Sequence, residues 1–195
     1  MSTTVIPTML QAMENKDQVT LQHSSRVQQL INLVIPNLIK NNVISHEEVA
    51  DLWTSAILHD VGKLFVEDKI LDSNEKLNKE DYQYMKTHPQ RGYNFIRQFN
   101  IPAKILLAIK HHHERWDGNN TGKYPGYPDG LKGKKIPIYA RIIKIADTYD
   151  AITSYRHYKE AKPLKDALNI IKKGAGTQFD PELSEMFVKS LSNSY

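Results

Sequence analysis

The sequence predicts an all-α fold on three observations. Apolar residues recur at helical spacing along nearly the whole chain, and no alternating apolar and polar run exceeds a few residues. The one long break in periodicity, from Trp116 to Ile136, is dense in glycine and proline. A chain of 195 residues that is 40% hydrophobic can bury one sizeable core, so a single domain over residues 1–195 is expected, with its core at about 17–192. The opening segment, MSTTVIPTMLQAMENKD, has no basic start, sustained apolar run or small-residue cleavage site, and no apolar run approaches a bilayer span. A cytoplasmic protein without membrane contact is the expectation.

Each helix has its own signals. Val27, Leu30, Ile31, Val34 and Leu38 form one stripe, and His23 lies one turn before Val27 on that face. Ser45 followed by Glu48 reads as a capping box opening a helix whose inward face carries Leu52, Ala56, His59 and Asp60, with Gly62 as its stop. Asn78 with Asp81 opens a helix to about Thr87, and His88-Pro89 breaks it, placing His88 at a bend. Pro102 begins a helix with Ile105, Ala108, Ile109 and His112 on one face. The stretch DGNNTGKYPGYPDGLKGKK then reads as a long loop folding over something, and such loops in compact domains are usually functional. Pro137 starts a helix in which Tyr139, Ile142, Ile143, Ala146, Asp147 and Asp150 share a face. Two short helices close the chain, one from Pro163 to about Lys173 ended by Gly174, the other from Asp180-Pro181 to Leu191.

These helices feed imidazoles and carboxylates inward. The chain has no cysteine, which excludes disulfides, iron–sulfur clusters, thiolate zinc sites and cysteine nucleophiles, so any metal must sit on nitrogen and oxygen. Any one of these histidines alone is better explained as a hydrogen-bonded core residue. The set His23, His59, Asp60, His88, His112, His113 and Asp147 points instead to metal, because burying several unpartnered imidazoles is costly. A carboxylate has two oxygens, so Asp60 is the candidate bridge, with His23, His59 and Asp147 on one metal and His88, His112 and His113 on the other. Two neighbouring metals can acidify a bound water, aim it in line with a phosphorus and neutralise the non-bridging oxygens. Consecutive helical residues point about a quarter-turn apart, which leaves His111 at the periphery. His46 and His157 read as surface residues. Lys63 either reaches a phosphoryl oxygen or complements the carboxyl end of its helix.

The formal charge is +4, and lysines and arginines crowd the second half of the chain, among them Lys110, Arg115, Lys144, Arg156 and Lys159. A phosphate-bearing substrate would be drawn there, whereas the run Lys132 to Lys135 reads as a solvated loop and so small an excess does not favour duplex nucleic acid.

HDVGK, HPQRG, HHERWDG, GYPDGLKG, IPIYARIIKIADTYDAITSYRHY and FDP follow in the order found in the HD-GYP domain, which this chain resembles over nearly its whole length. That family is a branch of the HD phosphohydrolase superfamily. The resemblance implies a helical bundle with the long loop over a metal site, and hydrolysis of cyclic di-GMP to pGpG and GMP by a hydroxide held between metals. It also implies the same seven ligands, around two divalent ions that are typically iron or manganese. Nickel, cobalt and zinc suit the same donors. By the same resemblance Lys63 contacts the scissile phosphate, Tyr127 of the GYP motif and Arg156 hold the guanine and phosphate parts of the substrate, and Glu114 orients a ligand.

The chain departs from the family pattern in three places. Members with a third metal carry a glutamate four residues before the first histidine, where this chain has Val19. Two metals are therefore expected, with Asp150 left to orient a ligand or face the substrate. Between Gly118 and Gly126 the segment NNTGKYP lengthens the loop by six residues relative to the family, reshaping access to the site. Arg156-His157-Tyr158-Lys159 replaces an arginine-proline-tyrosine-arginine stretch, so Lys159 keeps a charge without a second planar guanidinium. Two rival readings remain. One is a catalytically weak or inactive cyclic-dinucleotide receptor that signals to a partner such as a diguanylate cyclase (GGDEF-type) protein, and the other is a phosphohydrolase acting on a different nucleotide.

Overall fold

A computed structural model describes residues 5–71, 73, 77–122, 124–155 and 161–192. Among the described residues no strand forms, and one isolated parallel bridge joins Ala175 to Phe179. The chain runs through α1 (Val5–Lys16), α2 (Gln18–Lys40), α3 (Val49–Leu58), a 3-10 turn over Val61–Phe65, α4 (Asp68–Leu71), α5 (Lys79–Met85), α6 (His88–Ile96) and α7 (Ala103–His111). After the loop come α8 (Ile138–Thr153), α9 (Leu164–Gly174) and α10 (Pro181–Ser192). No described helix is long and apolar enough to cross a membrane.

Local chemistry explains most boundaries. Asp17 caps α2 by accepting from the Val19 amide at 2.9 Å, and Asn78 caps α5 by accepting from the Asp81 amide at 2.9 Å. Asp180 does the same for α10, accepting from the Glu182 and Leu183 amides. Only half of the expected box at Ser45 forms. The Ser45 amide donates to Glu48 Oε2 at 3.0 Å, but no side chain caps α3, which begins at Val49. That helix also ends earlier than expected, at Leu58, so His59 and Asp60 lie just beyond it and Gly62 lies in the 3-10 turn. Gly62 answers a different need. A Cβ there would sit 1.8 Å from the His88 carbonyl oxygen and 2.6 Å from the Gly92 amide nitrogen, so only glycine lets the turn lie against α6. His88 opens α6, with Pro89 in its first turn, and the break falls just ahead of it.

Two apolar clusters hold the helices. The larger joins α2, α3, α8, α9 and α10 through Val27, Ile31, Leu38, Leu52, Ile142 and Phe187. The smaller joins α1, the 3-10 turn, α6 and α7 through Met9, Met13, Val61, Ile96 and Ile109. Helix α1 extends the core ahead of residue 17, because its Met9 and Met13 are one helical turn apart and both buried.

Candidate metal centre

Asp60 stands at the middle of the cluster, and its two oxygens face different histidines. Oδ2 lies 3.4 Å from His59 Nε2 and 3.8 Å from His23 Nε2. Oδ1 lies 3.1 Å from His88 Nε2 and 4.0 Å from His112 Nε2. Two sets have ligand atoms mutually within 4.8 Å: His23, His59 and Asp60, and Asp60, His88, His112 and His113. Asp147 touches both, with Oδ1 3.2 Å from His23 Nε2 and Oδ2 4.0 Å from His113 Nδ1. All seven expected ligands therefore come together, His23 from α2, Asp147 from α8, and the rest at or beside the ends of α3, α6 and α7. Val19 is 70% exposed and supplies no donor.

The local backbone sets the tautomer of three rings. His59 Nδ1 donates to the Ala56 carbonyl at 2.7 Å, His88 Nδ1 to the Met85 carbonyl at 2.8 Å, and His112 Nδ1 to the Ile109 carbonyl at 2.8 Å. A carbonyl can only accept, so in each neutral ring the proton sits on Nδ1 and the Nε2 lone pair points into the cluster. Among the described residues His59 Nε2 is buried without a hydrogen-bond partner. His88 Nε2 and His112 Nε2 face each other at 3.3 Å, two lone pairs with no proton to share. Such an arrangement fits a cation between them.

His23 is oriented differently. Its Nδ1 lies 2.6 Å from Asp150 Oδ2, and Arg26 grips the same carboxylate at 2.7 and 3.0 Å. Of the two roles open to Asp150, the geometry gives it that of orienting His23, since it is buried and its oxygens are occupied. Burial opposes its charge, but hydrogen bonds from His23 and Arg26 hold its carboxyl at about 2. Burial likewise opposes a charged His23, yet hydrogen bonds to Asp147 and Asp150 lift the ring to about 9. His112 and His113 are pushed well below the usual imidazole range by burial first, with the neighbouring rings, and Lys144 at His113, acting in the same direction, which keeps both rings neutral. Asp60 and Asp147 lie well below the usual carboxylate range. Burial alone would raise both, and Lys63 with His59 reverses this at Asp60, as His23 and His113 do at Asp147. Anionic oxygen with neutral imidazole is the donor set of a divalent metal doing hydrolysis.

Around the cluster, Lys63 Nζ donates to Asp60 Oδ2 at 2.7 Å. It lies in the last part of the 3-10 turn, beyond the early end of α3. Tyr127 stacks on His113, ring centroids 4.7 Å apart at 29°, with Lys86 Nζ 4.9 Å from the Tyr127 centroid. Among the described residues Glu114 contacts none of the seven expected ligands. Its oxygens accept from the Asp129 amide at 2.7 Å and the Leu131 amide at 3.1 Å, fixing the loop behind Tyr127. His111 stays outside both sets, though buried, with Nδ1 3.5 Å from Glu114 Oε1. His46 and Lys132, Lys134 and Lys135 are exposed. Arg156, His157 and Lys159 lie outside the described residues. Sequence reasoning missed Arg26, whose signal was its position three residues after His23 on one helix face.

The lengthened loop folds back on itself. The Gly126 amide donates to the Asn119 carbonyl at 2.7 Å, closing the extra residues off at their base. Arg115 pairs with Asp117 at 3.0 and 2.7 Å, and the Trp116 and Asp117 amides donate to the Gln178 and Thr177 carbonyls.

A family model described as HD domain matches residues 7–183. A cyclic di-GMP phosphodiesterase of Thermotoga maritima is 36% identical over 90% of this chain and 46% of its own length. A 3'3'-cGAMP-specific phosphodiesterase 3 of Vibrio cholerae is 33% identical over 91% of this chain and 36% of its own length. The chain thus spans less than half the length of these relatives. Among solved structures, the HD domain of the L. monocytogenes phosphodiesterase PgpH in complex with cyclic-di-AMP superposes with a TM-score of 0.67 at 15% identity, covering 95% of this chain and 94% of that one. The histidine–aspartate pair at residues 59 and 60, the helical fold around it and the match over most of the chain agree: this chain belongs to the HD domain family.

Proposed function

We propose that this chain is a phosphodiesterase that hydrolyses cyclic di-GMP to pGpG and/or GMP with two divalent ions, iron or manganese, in the cytoplasm. The observation that carries the reading is Asp60, whose two oxygens face two histidine sets with three Nε2 lone pairs fixed inward. His23, His59, Asp60 and Asp147 would hold one ion, and Asp60, His88, His112 and His113 the other. Bound there, the ions would acidify a water and offset charge on a phosphate. The protein's own groups do the rest. The i−3 carbonyls and Asp150 keep four of the five rings aimed, so little reorganisation is needed when substrate arrives. Lys63 has its ammonium beside Asp60, where it can donate to a phosphoryl oxygen. Tyr127, a neutral phenol held well above its usual range by burial, offers a ring edge and a donor to the nucleotide. Arg156 and Lys159 are assigned to substrate phosphate on the resemblance alone.

Protein purified without oxygen and assayed for metal content should convert cyclic di-GMP to pGpG or GMP. Full metal occupancy with no turnover overturns the proposal. Tight binding without turnover would move the protein to a receptor acting through a partner such as a GGDEF-type cyclase. Faster cleavage of 3'3'-cGAMP in a competition assay would change the substrate and keep the chemistry, an outcome the similar identity to relatives of both names makes worth measuring.

A further inference from the structure

Among the described residues, Lys144 beside the centre has no counterion within ion-pair distance. Lys144 lies on α8 one turn before Asp147, so the two side chains share a helix face. Its side chain is only partly exposed, and among the described residues no acceptor lies at hydrogen-bonding or ion-pair distance from its ammonium. The surrounding charges are committed elsewhere. Asp147 turns its oxygens to His23 and His113, Glu114 accepts from two loop amides, and Arg115 is paired with Asp117. Other lysines of the fold differ: Lys16 has Asp68, Lys63 has Asp60, Lys104 has Glu48 and Lys110 has Asp129. Lys144 shares its helix face with Asp147, whose Oδ2 lies 4.0 Å from His113 Nδ1, so its side chain stands at the rim of the metal centre. Burial pushes it below the ordinary lysine range, the expected response of a cation taken from water without an anion.

We propose that Lys144 is a phosphate-binding residue of this centre, its ammonium gripping a non-bridging oxygen of a nucleotide phosphodiester on the side of Asp147 and His113. The assignment rests on the phosphodiester reading of the site. It supplies what the lysine lacks, an anion, and what a two-phosphate substrate needs, a cation besides Lys63. A charge-assisted hydrogen bond made equally in the ground and transition states raises affinity and leaves turnover alone.

The test uses Lys144→Gln and Lys144→Arg beside the wild type, each with metal content measured. Inorganic phosphate titrated into metal-loaded protein reads the site without turnover. In K144Q its dissociation constant should rise about tenfold or more, and in K144R it should return to within about threefold of wild type. With cyclic di-GMP, KM should rise by a similar factor in K144Q while kcat changes less than about threefold. Phosphate affinity and KM within twofold of wild type at unchanged metal content would overturn the assignment. Loss of metal in K144Q would also overturn it, because the lysine would then be supporting Asp147 rather than substrate. If the wild type cleaves no cyclic dinucleotide, the function reading fails by itself, and the phosphate titration still decides the role of Lys144.

Discussion

The floor and the roof of the centre are built by different physics. The floor consists of helix ends, where His59, His88 and His112 each donate from Nδ1 to a carbonyl one turn back, so ring direction follows from helix geometry. The roof, from Trp116 to Ile136, has only one 3-10 turn of regular structure among its described residues and is held by individual contacts. Glu114 grips its amides, Arg115 grips Asp117, and Arg141 ties Asp180 at 2.6 Å and the Ile136 carbonyl at 2.9 Å. The difference separates two functions. A floor that needs no substrate to be ordered sets the chemistry, whereas a roof held by side chains can change length without moving the ligands.

The floor should break first. Asp60→Ala removes the residue that the two candidate ligand sets share, so both metals and all phosphodiesterase activity should be lost while the helical circular dichroism is kept. Stoichiometric metal in that variant would contradict a bridging carboxylate. Gly62→Ala comes next. Its Cβ collides with the His88 carbonyl oxygen, and relief requires the turn and α6 to part, which should cost about 3 kcal/mol in urea unfolding and lower metal occupancy through His88. Unchanged stability would show that the approach can relax cheaply. A milder loss is expected from Asp150→Asn, which leaves His23 in place without its anionic partner. Metal affinity should fall about 10–100-fold in a competition titration while folding is kept, and an unchanged affinity would remove Asp150 from the centre.

The same division governs what could be read without coordinates. The candidate ligands were legible as inward-facing residues where the stripe from His23 through Val27 to Leu38 and the face from Ile105 to His112 follow the helical period. The split of Asp60 between two histidine sets could be expected from carboxylate chemistry, yet its direction depends on how the end of α3 meets α6. Gly62 was legible as a glycine but not for its reason, since the contact comes from His88, distant in sequence. Met9 and Met13 went unread because the opening segment was searched for targeting signals and its short stripe follows Pro7. The work of Glu114 was hidden for the opposite reason: its partners are loop amides, and main-chain donors carry no sequence signal.

The smallest effect should come from the roof's own insertion. The Asn119 carbonyl and Gly126 amide meet at 2.7 Å, so residues 120–125 leave and re-enter the loop at nearly one point. Their removal should leave the grip of Glu114 on Asp129 and Leu131 and the stack of Tyr127 on His113 in place. A shorter loop costs less entropy to close, a difference of only about 0.6 kcal/mol for each halving of length. A variant lacking residues 120–125 should therefore bind metal as the wild type does, melt within a few degrees of it, and cleave a small synthetic phosphodiester within about threefold of its rate. The ratio of cyclic di-GMP to 3'3'-cGAMP turnover is the discriminating reading. A ratio unchanged within threefold makes the insertion a closed excursion, whereas a tenfold shift at constant small-diester activity would give substrate choice to the segment and set the expected reshaping of access above the hydrogen bond at its base.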